Sequence, residues 1–167
     1  QTNFGGGKTH SLLALYHLFC GTPPAELPNV DELVSGLGIE SLPKDVKRAV
    51  LVGQYLSPGE VHAMADGTKV RTLWGELAWQ LAGKQGYSLI QEADQTGTNP
   101  GRSLIKLFDL AGPCLILIDE WIAYARQLYE KHDLPAGSFD TQFTFAQALT
   151  EAAASSANTF VVVSIPS

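Results

Sequence analysis

The residues best suited to chemistry in this chain are a lysine and a threonine behind a run of glycines, and two adjacent acids far downstream. Lys8 and Thr9 follow Gly5, Gly6 and Gly7, and Asp119 and Glu120 close an apolar run. A polyphosphate is a cluster of anionic oxygens, held best by backbone N–H groups at a helix N-terminus together with a cation. Backbone can wrap that closely only where side chains are missing, which glycine provides. The stretch "FGGGKTH" fits the end of the phosphate-loop pattern G-x-x-x-x-G-K-[ST], with Gly7, Lys8 and Thr9 in its closing positions. The pattern's first position falls on Thr2 instead of glycine. Phe4, Gly5, Gly6, Gly7, Lys8, Thr9 and His10 therefore form the candidate nucleotide-binding stretch. Lys8 would reach the β- and γ-phosphates, the Thr9 hydroxyl would ligate Mg2+, and the His10 backbone N–H would face phosphate. A glycine-rich turn capping a helix, with Lys8 in solvent, is the plainer alternative.

The acids stand in "LILIDE". The C-terminal end of a buried strand is where α/β sheets bind ligands. Asp119 would hold Mg2+ opposite Thr9, and Glu120 would polarise a water for attack on the γ-phosphate. The same acids would also suit the start of a helix, where negative charge complements the dipole. Their occurrence with Lys8 and Thr9 favours phosphoryl chemistry, which needs a cationic cradle, a metal and a positioned nucleophile. Ser164 ends the run "FVVVS". It would contact the attacking water or the γ-phosphate if its strand lay between the phosphate-loop strand and the acid-site strand. An ordinary serine at a strand end is the alternative.

These groups need elements to hold them. Leu12, Leu13, Tyr16 and Phe19 recur at helical spacing after Thr9, and the helix should stop near "CGTPP". A short helix is expected in "VDELVSGLG", and a first strand in "RAVLVGQYL", ended by Ser57-Pro58-Gly59. "TLWGELAWQLAG" reads as a helix stopping at Gly83, and "NPGRSLIKLFDLAG" as another, with Asn99 as its cap and Pro100 in its first turn. "PCLILIDEW" is a continuous apolar run, which implies burial on both faces as in a covered parallel sheet. A helix with Trp121, Tyr124, Ala125, Leu128 and Tyr129 on one stripe follows, then a helix in "DTQFTFAQALTEAAASS" capped by Asp140, then the strand "TFVVVSIPS". Strands alternating with helices predict an α/β fold with a mostly parallel sheet flanked by helices.

Bulk properties limit the functions. The 167 residues make one domain with a core, and 45% hydrophobic with 17% charged residues is a globular composition. A formal net charge of -6 gives no bulk attraction to nucleic acid or to an anionic membrane. Nucleic acid would be reached only through other domains or partners. No apolar stretch is long enough to span a membrane. Cys20 and Cys114 sit in apolar surroundings and are expected as reduced, buried thiols of a cytoplasmic protein. His10 and His17 are expected as exposed or packed residues, not as a metal pair. Trp74, Trp79 and Trp121 are expected in the core, Arg71 and Arg126 as surface residues or phosphate sensors, and "EKHD" at 130–133 as a solvated helix end.

The ordered set "GGGKTH", "LILIDE" and "VVVS" resembles the core of the additional-strand P-loop ATPases, which include the AAA+ group. More narrowly, "FGGGKTHSLLALYHL", "RTLWGELAWQLAG", "LILIDEW" and "VVVSIPS" resemble prokaryotic proteins with domain of unknown function 499, large AAA+-like ATPases of which some are encoded in phage-defence loci. The resemblance implies a three-layer P-loop core in which the phosphate-loop strand pairs with the strand ending at Ser164, and that strand with the acid-site strand. It implies ATP and Mg2+ as cofactors and a Walker A role for Gly5, Gly6, Gly7, Lys8 and Thr9. It gives magnesium to Thr9 and Asp119, catalysis to Glu120 and a sensor role to Ser164. It also implies a partial domain running from Walker A to the sensor strand, lacking the strand before the phosphate loop, and so a fragment of a longer protein working as a homo-oligomer or larger complex. Two other readings compete: a non-hydrolysing nucleotide-binding scaffold, and a small-molecule phosphotransferase, in which the acid-site strand would lie beside the phosphate-loop strand.

Overall fold

The computed structural model describes residues 7–38, 42 and 44–165. Helix α1 covers Lys8–Phe19 and α2 covers Asp31–Gly36, with a single 3-10 turn, Pro24–Glu26, between them. Strand β1 (Lys47–Val52) is followed by a small hairpin of β2 (His62–Ala63) and β3 (Lys69–Val70). Helices α3 (Leu73–Thr96) and α4 (Ser103–Ala111) then lead to β4 (Cys114–Asp119), α5 (Trp121–Arg126), α6 (Phe139–Ser155) and β5 (Thr159–Val163).

The strands β1, β4 and β5 form a parallel sheet in the order β1-β4-β5. β4 is central, and all six of its residues are buried. Alternation along a strand sends successive side chains to opposite faces. Cys114, Ile116 and Ile118 accordingly join the larger core with Ala49 and Leu51 of β1, while Leu115 and Leu117 face the smaller one with Leu12 of α1. Helices α3 to α6 cover the first face, with Trp74, Leu77, Leu107, Phe108, Tyr124 and Phe145 in its core. Helix α1 covers the second with Leu12, Leu15, Tyr16 and Phe19. The expected α/β fold, with a parallel sheet between helical layers, is observed, and burying each large apolar side chain contributes about 1.5–3 kcal/mol to it.

Several local expectations are corrected. The helix expected to stop at Gly83 does break there, at the non-helical Ala82 and Gly83, but the chain folds back and continues helical to Thr96. The return places Asp94 against the Thr72 cap at the start of the same element. Asn99 does not cap α4, which starts at Ser103; its Oδ1 accepts from the Gly101 N–H at 3.2 Å. Helix α6 is capped by Ser138, which forms a capping box with Thr141, and Asp140 falls in its first turn. The hairpin between β2 and β3 had not been expected, although Asp66-Gly67 is its turn signal. Cys114 is buried as expected, but Cys20 is exposed at the C-cap of α1. Leu13 and Tyr129, expected in apolar stripes, are 49% and 58% exposed. Trp74 and Trp121 lie in the core, with Trp79 packed partly buried against it. Among the described residues no helix is long and apolar enough to cross a membrane.

Candidate functional site

The register of the sheet builds the site. Asp119 ends β4 opposite Val52, the last residue of β1, and β5 runs one residue past its own end to Ser164 beside them. Three elements thus deliver polar groups to the same end of the sheet. Thr9, in the first turn of α1, donates its hydroxyl hydrogen to Asp119 Oδ2 at 2.8 Å. The Ser164 hydroxyl donates to Asp119 Oδ1 in a short hydrogen bond, and the Glu120 N–H donates to the same oxygen at 3.1 Å. The Asp119 carboxylate is buried, as is Ser164, so these donors replace the water both groups lose.

Helix α1 begins at Lys8 because Gly7 takes a left-handed conformation (φ 77°, ψ 12°) with no side chain to cap it. Lys8 therefore opens the helix, with Thr9 and His10 in its first turn. His10 and His17 are both exposed. Phe4, Gly5 and Gly6 lie outside the described residues.

Glu120 is the N-cap of α5 in a left-handed conformation (φ 54°, ψ 32°), which costs a non-glycine residue about 1 kcal/mol or more. Its side chain is half-buried at the rim of the site. Gly53, one residue past β1, donates its N–H to the Asp119 carbonyl at 2.8 Å. A Cβ on Gly53 would run into the Glu120 carbonyl and lie 3.0 Å from the Tyr124 Cβ. Gly53 was absent from the residues expected at the site; the signal available was a glycine directly after the apolar run "AVLV".

Thr9 and Asp119 offer two hard oxygen donors side by side. Mg2+ is held in this manner, by one or two protein oxygens with substrate phosphates and waters completing its shell. The donor set therefore fits Mg2+. Among the described residues no group of three or more His, Cys, Asp or Glu could hold a metal by itself. A cavity of about 310 Å3 between α1 and the sheet is bordered at one end by Thr9 and Asp119 and is otherwise apolar, with Leu12, Tyr16, Val50 and Leu117 in its walls. A larger cleft of about 890 Å3 lies at the start of β1, against Phe19, Cys20, Pro23, Val46 and Arg48. It is at the opposite end of the strands from Asp119 and carries none of the candidate residues.

Among the described residues no hydrogen bond joins the other candidates, Arg71 and Arg126, to Asp119 or Glu120. Arg126 is exposed at the end of α5, and the Arg71 backbone N–H is engaged by Asp94. Residues 130–133 are exposed as expected, but they do not end a helix: α5 stops at Arg126, and they lie in the turn and loop beyond it. Comparison with curated proteins and with solved structures gives no match. The model of the DUF499 N-terminal domain matches residues 1–167, and the chain belongs to that family.

Proposed function

We propose that this domain binds ATP with Mg2+ and hydrolyses it, driving conformational work in a larger, oligomeric assembly. The observation that carries the proposal is the contact of Thr9 with the buried Asp119 carboxylate at 2.8 Å. It joins the start of a helix behind a glycine run to an acid at a strand end. A P-loop core of the additional-strand type calls for that pairing.

In this reading Lys8 and the first-turn backbone of α1 hold the phosphates, and Thr9 and Asp119 hold the metal. The metal, when bound, neutralises charge on the β- and γ-phosphate oxygens. Glu120 orients the attacking water and accepts its proton. Ser164, bonded to Asp119, holds the metal-binding carboxylate in place from the neighbouring strand. A small-molecule phosphotransferase is less well supported. In that class the strand leading into the phosphate loop pairs with the acid-site strand, yet β4 already has β1 on one side and β5 on the other.

The test is Mg-dependent ATP binding and hydrolysis by the intact protein beside Lys8→Ala and Glu120→Gln. The proposal expects Lys8→Ala to lose binding and Glu120→Gln to bind with turnover reduced to a small residual rate. Absence of nucleotide binding by the unmodified protein, or normal hydrolysis by Glu120→Gln, would overturn it.

A further inference from the structure

We infer that Gly53 is a positioning residue for Glu120, holding the glutamate in its left-handed conformation beside Asp119; the inference rests on the hydrolytic reading above. Glu120 departs from the conformation its side chain prefers, and such departures persist only where the surroundings impose them. Two contacts impose this one. The Glu120 N–H is tied back to Asp119 Oδ1 at 3.1 Å, and the Glu120 carbonyl accepts from Tyr124 N–H at 3.2 Å to start α5. Between them the Glu120 carbonyl lies in the space a Cβ on residue 53 would need. Gly53 is itself fixed, since its N–H bonds the Asp119 carbonyl at 2.8 Å. The two backbones are thereby locked at the rim of the site, one carrying Asp119 and Glu120, the other having no side chain.

A methyl group at residue 53 has to push the Glu120 carbonyl aside. The Glu120 backbone then has to shift as a whole, and its carboxylate leaves the position from which it would serve the attacking water. Thr9 bonds Asp119 Oδ2, the carboxylate oxygen that the Glu120 N–H does not use. Gly53 therefore acts on turnover through Glu120 and not on nucleotide binding.

The experiment uses the intact protein and compares Gly53→Ala, Glu120→Gln and the double variant for Mg-ATP affinity and for kcat. Gly53→Ala is expected to lower kcat about tenfold or more while affinity stays within about threefold, and the double variant to turn over no more slowly than Glu120→Gln alone. A Gly53→Ala protein that hydrolyses normally overturns the inference and leaves the ATPase proposal standing. So does a loss of nucleotide affinity, or a double variant slower than Glu120→Gln, since Gly53 would then act through the fold in general. An unmodified protein that binds but never hydrolyses ATP overturns both. The backbone is checked separately by thermal unfolding, which needs no activity: Glu120→Gly should melt above Glu120→Ala, because only glycine is at ease left-handed. The reverse order would remove the strained glutamate on which the inference depends.

Discussion

Thr9 and Asp119 stand 110 positions apart in the chain, yet the Thr9 hydroxyl donates to Asp119 Oδ2 across 2.8 Å. The contact brings the start of α1 to the end of the central strand, and it needs a hydroxyl on one side and a carboxylate on the other. Thr9→Ala removes the hydroxyl and leaves Asp119 Oδ2 without that donor. The free protein should lose roughly 1 kcal/mol of stability. Its Mg-dependent affinity for ATP should fall about tenfold or more, while Thr9→Ser, which restores the hydroxyl, stays near the unmodified value. Thermal unfolding measures the first, and calorimetric titration of ATP with and without Mg2+ the second. Equal affinities for the alanine and serine variants would show that Thr9 is not a metal ligand.

Asp94 is fully buried, and its carboxylate is the hub of the α3 hairpin. It accepts from the Arg71 N–H at 3.1 Å, from the Thr72 N–H at 2.9 Å and hydroxyl at 2.6 Å, and from the Tyr87 hydroxyl at 2.8 Å. Asp94→Ala takes the acceptor from the Arg71 and Thr72 N–H groups and the Thr72 hydroxyl, while the Tyr87 hydroxyl still reaches the Lys69 carbonyl at 2.8 Å; the cost is about 1–3 kcal/mol for each donor that finds no substitute. A total loss of roughly 3 kcal/mol or more in urea unfolding is expected, with the midpoint shifted and the slope unchanged. A change under about 0.5 kcal/mol, the size of an ordinary surface substitution, would mean the hairpin is held by its apolar contacts alone.

Among the described residues β1 is an outer strand of the sheet. The Gln80 side chain accepts from Val50 N–H at 2.7 Å and donates to the Val50 carbonyl at 3.0 Å, so a side-chain amide occupies part of the free edge of β1. An unpaired strand edge is a template for pairing with another chain. Gln80→Ala should therefore promote self-association at high concentration with little change in melting temperature, read by light scattering. Scattering identical to that of the unmodified protein would show that Gln80 does not guard the edge.

How much of this was legible in the sequence depended on how local the cause was. β4 could be read because the apolar run from Cys114 to Ile118 is unbroken, and a strand with no polar face has to be covered on both sides. The pairing of Lys8 and Thr9 with Asp119 and Glu120 could be proposed from types and order, since the phosphate-loop pattern encodes its own geometry. The resemblance implied that β5 pairs with β4, as it does, but the hydrogen bond of Ser164 to Asp119 could not be read, because it depends on side-chain rotamers at the strand ends that no pattern encodes. The second half of α3 was missed because Gly83 marks a real break, and a glycine does not show whether the helix resumes after it. The roles of Gly53 and Asp94 arise from contacts between distant backbones and side chains, where the sequence offers a residue type without its neighbour.

The two cysteines should differ in chemistry. Cys20 is exposed at the end of α1, whereas Cys114 is buried in β4, where desolvation pushes its thiol up from the ordinary value and the Thr159 hydroxyl only partly offsets this. The thiolate is the reactive form, so an alkylating reagent near pH 8 should modify Cys20 in the folded protein and Cys114 only after unfolding. Mass spectrometry of the native and urea-unfolded protein counts the adducts; two adducts in the native protein would contradict the burial. The same burial has a pH consequence. Tyr87 and Tyr124 are likewise raised, first of all by desolvation, with the Asp94 carboxylate adding to the effect. A group whose folded value lies above its unfolded one keeps its proton better in the folded state. Its stabilisation is whole below the unfolded value and is lost as pH rises through the folded one. Melting temperature should therefore decline as pH climbs past about 8.5 for the thiol and about 10 for the phenols. Cys114→Ser would remove the earlier part of that decline and leave the later part to the tyrosines.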